Sequence, residues 1–247
     1  MKRTLAIGDI HGGLKGLQQA MVRANVTEKD TLIFLGDYVD GWSDAAQVIE
    51  FLMNLSYQQD CHFIYGNHDA YCFDWLTKGM MNSVWLNHGG RETIESYQPF
   101  IKDEEHIQMH IGFFKKMENY LIDDQNRLFI HAGYTSMHGP EKEHYASNYG
   151  WDRTLWETAM AAHNHCTPSD ENYPKRLSLF KEIFIGHTPT TGWGIDHPWK
   201  QSNVWNVDTG AGFKGKLSIL DIDSGEFWQS DPLNELYPNE IGRNKNR

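Results

Sequence analysis

The chain has few cysteines, little positive charge and no long apolar run, and each shortage excludes something. Its three cysteines, Cys61, Cys72 and Cys166, form no spaced framework. An odd, scattered set argues against a disulfide-stapled secreted domain and for reduced thiols in the cytoplasm. Cys61 and Cys72 lie in apolar segments and are expected in the core. No apolar stretch approaches the roughly 20 residues of a membrane-spanning helix, so no membrane partner is expected. The first apolar run stops at Ile7 before Gly8-Asp9, which leaves no signal-peptide core behind Met1-Lys2-Arg3. With 22 Lys and Arg against 33 Asp and Glu, the net charge is −11. Such a chain gains little from a duplex backbone, which argues against broad nucleic-acid binding. Bound metal ions would make a positive site inside the acidic shell.

What the sequence does have is the material of a large core. Hydrophobic residues are 40% of the 247, enough for one catalytic domain over 1–247, with a polar tail after about 238 expected to fray. The first third alternates strand and helix. Strand-like runs at 4–7, 31–35 and 62–65 are each followed by a loop and then by apolar residues at helical spacing, such as Leu14, Leu17, Met21 and Ala24. Ser43 is placed to cap the second helix, which turns Val48, Ile49, Leu52 and Leu55 inward. Residues 91–119 read as polar helix. Strand-like runs return at 120–122, 128–130, 182–185, 204–207 and 217–222, with a helix predicted over 151–163. The β-loop-α order implies an α/β fold with a largely parallel sheet.

The chemistry gathers where strands end. Gly8-Asp9-Ile10-His11-Gly12, Gly36-Asp37-Tyr38-Val39-Asp40, Gly66-Asn67-His68-Asp69, His131-Ala132-Gly133 and Gly186-His187-Thr188 each follow such a run. Ligands of open α/β sheets bind at the carboxyl ends of strands. Asp, His and Asn side chains there are the mixed donor set of a dinuclear centre, and one carboxylate can bridge two cations. One such motif alone is an ordinary turn with a polar cap. Five in order at strand ends point to a site.

The series GDIHG, GDYVDG, GNHD, HAG and GHT resembles the signature of the PPP (serine/threonine protein phosphatase) branch of the calcineurin-like metallophosphoesterases, from Gly8 to about Ile222. Asn87-His88-Gly89-Gly90-Arg91-Glu92-Thr93 and Asp208-Thr209-Gly210-Ala211 are similar to bacterial members. The resemblance implies a four-layer α/β/β/α sandwich of two mixed sheets with two divalent ions between them, manganese first, with iron or zinc as alternatives. It implies that Asp9 and His11 bind one ion, Asp37 bridges, and Asn67, His131 and His187 bind the other. It makes His68 the general acid, held by Asp40, with Asn67 also touching substrate. A carboxylate partner is expected to raise the His68 pKa. The implied reaction is phosphomonoester hydrolysis on a phosphoprotein or a small phosphate ester. A symmetrical dinucleoside tetraphosphatase is the alternative enzyme, and a non-catalytic metal-binding regulatory module is the reading of a different class.

The chain departs from that pattern in its arginines. Gly41-Trp42 stands where the family has Arg-Gly, so a phosphate-gripping Arg is missing, and Thr158 stands where a second Arg often follows the late Trp156. Arg153 is the candidate substitute for substrate binding. His106 and His110, spaced i, i+4, read as an exposed helix face rather than a metal pair, and His163, His165 and Cys166 as a loop near the site. Among the nine tryptophans, one or two of Trp42, Trp85, Trp151, Trp193 and Trp199 are expected to line a cleft.

Overall fold

A computed structural model describes residues 2–244. Among these residues ten strands form two five-stranded sheets. In the first, β1 (Thr4–Ile7), β2 (Thr31–Phe34) and β3 (Cys61–Phe63) run parallel. In the second, β4 (Tyr120–Ile122) pairs antiparallel with β5 (Arg127–Ile130), which lies parallel to β6 (Glu182–Ile185). An antiparallel edge strand β7 (Trp199–Gln201) flanks β8 (Val204–Asn206), itself parallel to β6. The chain then returns to the first sheet with β9 (Ser218–Asp221), antiparallel to β1, and β10 (Phe227–Gln229) at its edge. The short edge strands β7 and β10 were not foreseen, because three residues of mixed polarity carry no clear period.

Alternation along the strands builds the layers. Ala6, Ile33, Phe129, Phe184 and Leu220 point between the sheets, where Phe129 and Phe184 stack with ring centroids 4.9 Å apart. Their neighbours face outward. Leu5, Ile7, Leu32 and Phe34 pack under the helices Leu14–Arg23 and Ala45–Ser56. Leu128, Ile130, Ile183 and Ile185 pack under Thr154–Ala162. The result is the expected four-layer α/β/β/α sandwich.

Several local expectations need correction. The helix predicted over 151–163 is two pieces, Asn148–Trp151 and Thr154–Ala162. Asp152 breaks it: its carboxylate accepts from the backbone N–H of Thr154 (3.1 Å) and Leu155 (3.0 Å) and so caps the second piece. Ser43 does not cap Ala45–Ser56, whose N-cap is Asp44; its backbone N–H and hydroxyl both donate to Glu240. The segment 238–244, expected to fray, is fastened over the loop that follows β2. Lys245 to Arg247 lie outside the described residues.

Candidate active site

The loops after β1, β2, β3, β5 and β6 converge at one edge of the two sheets. Four of the residues they carry, His11, Asp37, Asp40 and His187, have positive φ (53°, 54°, 69° and 68°). Non-glycine residues reach this region only at a cost of about 1–3 kcal/mol each, and such strain concentrates at functional sites. Asp69 holds one of these turns in place. Its carboxylate accepts from the backbone N–H of Asp37 (2.8 Å), Tyr38 (2.9 Å) and Gly66 (2.9 Å), tying the second motif to the third.

Two donor groups result, and they share a residue. Asp9, His11 and Asp37 form one; Asp37, His131 and His187 form the other, and all five are buried. Nε2 of His11 lies 3.6 Å from Asp9 and 3.7 Å from Asp37, and Nε2 of His131 lies 3.3 Å from Asp37. Asn67 joins the second group, its Oδ1 3.2 Å from His131 and 2.9 Å from His187. The outer ring nitrogens fix the ring orientations. Nδ1 of His11 donates to the Asp40 carbonyl (2.9 Å) and Nδ1 of His131 to that of Leu35 (2.7 Å), which turns each Nε2 inward. Nε2 of His187 is buried without a hydrogen-bond partner among the described residues. Buried carboxylates beside inward-turned imidazole nitrogens, with Asn67 Oδ1 between His131 and His187, fit a bound cation.

Electrostatics agree. Burial raises the Asp9 carboxyl to about 7. For His131, burial pulls the pKa down, but Asp37 outweighs it and lifts the imidazole to about 10. Burial would likewise raise Asp37, yet His131 and His68 hold it well below the ordinary carboxylate range. Asp37 and His131 thus pair as ions, the imidazolium supplying positive charge that a metal cation would provide with release of the proton.

Beside this cluster, Nδ1 of His68 lies 2.7 Å from Oδ2 of Asp40. Sequence reasoning found this pair but missed its support. Asp40 also accepts from the Thr93 hydroxyl (2.6 Å) and the Trp85 indole N–H (2.8 Å). The segment 87–93 reaches Asp40 because Gly89 and Gly90 lack side chains. A Cβ on Gly89 would lie 2.5 Å from the Gly41 nitrogen, and one on Gly90 2.5 Å from the Trp85 ring. The expected rise in the His68 pKa is not found: burial, then the Arg243 guanidinium, hold it well below its ordinary value. Burial raises Asp40 to about 7, against the hydrogen bonds from Thr93 and Trp85.

A cavity of about 660 Å³ opens onto Asp37, Asn67, His68 and His187. Arg153 lines it, and so does Trp151, which is half exposed. Trp42 and Trp85 are buried, and Trp193 and Trp199 cluster with Trp156 away from the cavity lining. Thr158 faces Arg176, whose guanidinium donates to its hydroxyl (3.0 Å), so that arginine braces the scaffold. His163 accepts from the Ser202 N–H (2.8 Å), and neither it nor His165 nor Cys166 lines the cavity. His110 is not on an exposed face. It is fully buried beside the Tyr97 hydroxyl (2.9 Å), and its partner His106 lies 2.9 Å from Glu50. Arg243 was missed altogether: Nη1 lies 3.0 Å from Nε2 of His11, contributed by a segment 232 residues away.

This constellation on a two-sheet sandwich defines a metallophosphoesterase. The family model for calcineurin-like phosphoesterases matches residues 2–212, and the chain belongs to that family; it is a hydrolase. Over 228 residues it is 24% identical to an asymmetrical bis(5'-nucleosyl)-tetraphosphatase PrpE of Bacillus mycoides, covering 87% of this chain and 88% of that protein. The PrpE of Oceanobacillus iheyensis is 24% identical over 236 residues, with 90% and 89% covered. In fold the chain is similar to a putative diadenosine tetraphosphatase (TM-score 0.63, 15% identity, 92% of both chains). It is similar also to a protein serine/threonine phosphatase from Saccharomyces cerevisiae (TM-score 0.60, 12% identity, 93% of this chain and 80% of the other). Among the described residues no helix is long and apolar enough to cross a membrane.

Proposed function

We propose that the chain hydrolyses phosphoanhydrides of dinucleoside polyphosphates with two divalent cations. The observation that carries the dinuclear reading is the Asp37 carboxylate, common to both donor groups. Asp9, His11 and Asp37 would hold one ion, manganese in this reading; Asp37, Asn67, His131 and His187 would hold the other. When bound, the cations neutralise phosphoryl charge and activate water as Lewis acids. Nδ1 of His68 is engaged by Asp40, so its Nε2 is the nitrogen left to carry a proton of its own to the leaving oxygen. Asn67 and Arg153 contact the substrate. The names of the curated relatives support a nucleotide substrate, as does a cavity wall combining Tyr71, Trp151 and Phe213 with Arg153 and Lys214. Aromatic faces stack bases, and cations meet a polyphosphate.

A second reading, hydrolysis of phosphomonoesters including serine or threonine phosphoprotein, is favoured by the His68–Asp40 pair itself. An alkoxide leaving group needs a proton more than a phosphate leaving group does. The deciding experiment is a manganese-supplemented panel of a dinucleoside tetraphosphate, an aryl phosphomonoester and a phosphopeptide. The first should show the highest kcat/KM and yield nucleoside mono- and triphosphate. Two diphosphates would mean symmetrical cleavage, and turnover of the phosphopeptide alone would replace the nucleotide reading with the second. No turnover of any of the three would leave the metal-binding regulatory module.

A further inference from the structure

The segment that closes the described chain is built into the candidate site. Tyr237 stacks on Trp42 with ring centroids 5.3 Å apart, and its hydroxyl donates to Asp44 (2.6 Å). Glu240 accepts from the backbone N–H (2.9 Å) and hydroxyl (2.7 Å) of Ser43. Gly242, at φ 57°, passes so close to Trp42 that a Cβ there would lie 2.7 Å from the indole. The backbone N–H of Arg243 then donates to the Gly212 carbonyl (2.8 Å). These contacts form a strap across the loop after β2, and the strap ends with a guanidinium in the cavity wall.

That guanidinium is poorly satisfied. It lies 5.0 Å from the centroid of the Phe213 ring, and Nη1 donates to Nε2 of His11. Its Nε is buried without a hydrogen-bond partner among the described residues, and it acts on the buried carboxylates Asp9, Asp40 and Asp208 through space. Arginine offers five N–H donors in a rigid fork, and a buried donor left unpaired is costly. The bond to His11 is also conditional. Nδ1 of that ring already donates to carbonyl oxygens, so Nε2 has one lone pair, and a cation held by His11 would use it. The same crowding accounts for Gly41: a Cβ there would lie 3.2 Å from Cγ of Arg243. A side chain at position 41 and the strap contend for one space.

We propose that Arg243, delivered by the strap, is the principal anion-binding side chain of this cavity and grips the phosphoryl oxygens of the substrate. The inference rests on the phosphohydrolase reading of the same cavity, and it places the strap's guanidinium ahead of Arg153 in that role. Arg153 is exposed on the cavity wall, whereas Arg243 is held by its backbone bond to Gly212, by Phe213 and by the close approach of its Cδ to Gly212. A pre-placed fork loses less entropy on meeting two oxygens.

The test is binding of orthophosphate to the manganese-loaded full chain by isothermal titration calorimetry, with metal content and Tm measured alongside. Arg243→Ala should weaken phosphate affinity about 10- to 100-fold, the worth of one or two charge-assisted hydrogen bonds. Arg243→Lys, which keeps the charge without the fork, should fall between, free guanidinium ion should restore part of the loss, and Arg153→Ala should lose less. Unchanged affinity in Arg243→Ala overturns the proposal. Tighter binding also overturns it, since the residue would then be a plug. Should the alanine variant lose metal or fold, Arg243→Lys decides, and wild-type affinity there overturns the proposal. A wild-type protein that neither binds orthophosphate nor turns over any substrate overturns the phosphohydrolase reading as well; normal turnover with an unaffected Arg243→Ala overturns only the strap's role.

Discussion

The indole N–H of Trp85 donates to Oδ2 of Asp40 at 2.8 Å, the same oxygen that meets Nδ1 of His68 at 2.7 Å. The carboxylate that orients the imidazole is therefore itself oriented, from the segment just before Gly89-Gly90. Hydrogen bonds to charged groups contribute about 1.5–3 kcal/mol. Trp85→Phe keeps a ring over Gly90 but removes the donor. It should lower kcat roughly 10-fold at unchanged metal content, and steady-state kinetics with elemental analysis would check it. A variant with wild-type kcat would make Trp85 a packing residue only.

His68→Ala probes the proton itself. The expected loss in kcat is about 10²- to 10⁴-fold, with both cations retained. The loss should shrink for aryl phosphates with good leaving groups, because these need no proton. Equal losses for aryl and alkyl phosphates would remove His68 from the general-acid role.

Asp37→Asn takes one negative charge from between two sites of positive charge, so the repulsion between cations is less offset. Bound metal, measured by elemental analysis, should fall from two equivalents toward one, and turnover with it. Two equivalents and full turnover would show that Asp37 is not shared.

Gly41→Arg would restore the residue of the resembling family, yet it should destabilise this chain. Gly41 sits at φ 137°, and a Cβ would lie 3.1 Å from the His11 carbonyl oxygen. Strain of about 1–3 kcal/mol is expected, visible as a lower Tm. Stability equal to wild type would mean that the strap yields readily.

A pH effect on stability is expected away from the site. Asp30 is buried, and the Arg3 guanidinium donates to both of its oxygens (3.0 and 2.7 Å), which lowers its pKa to about 2. A depressed carboxyl stabilises the fold above its unfolded pKa of about 3.9 and loses that contribution as pH falls through the folded value. The contribution is roughly 2 kcal/mol at neutral pH. Asp30→Asn should lower Tm at pH 7, and the gap should narrow between about pH 4 and pH 2. A gap independent of pH would assign the loss to packing.

Much of this was legible in the sequence because it is local. Short apolar runs such as Leu5-Ala6-Ile7 and Leu128-Phe129-Ile130 mark buried strands, and a glycine beside an Asp or His marks the turn after each strand. Five such turns at strand ends located Asp9, His11, Asp37, Asn67, His68, His131 and His187 together, because parallel strands present their carboxyl ends at one edge. What surrounds them came only from the tertiary structure. Thr93 lies 53 residues from Asp40, and Arg243 lies 232 residues from His11; no periodicity spans such distances. The polar stretch 238–244 carries no apolar pattern of its own and so reads as a loose tail. It is ordered by contacts to Trp42, Ser43 and Gly212, surfaces that exist only once both sheets have packed. The sign of the His68 shift was decided in the same way, since a carboxylate neighbour raises an imidazole pKa in sequence logic, while burial and a distant guanidinium reverse it in the folded chain.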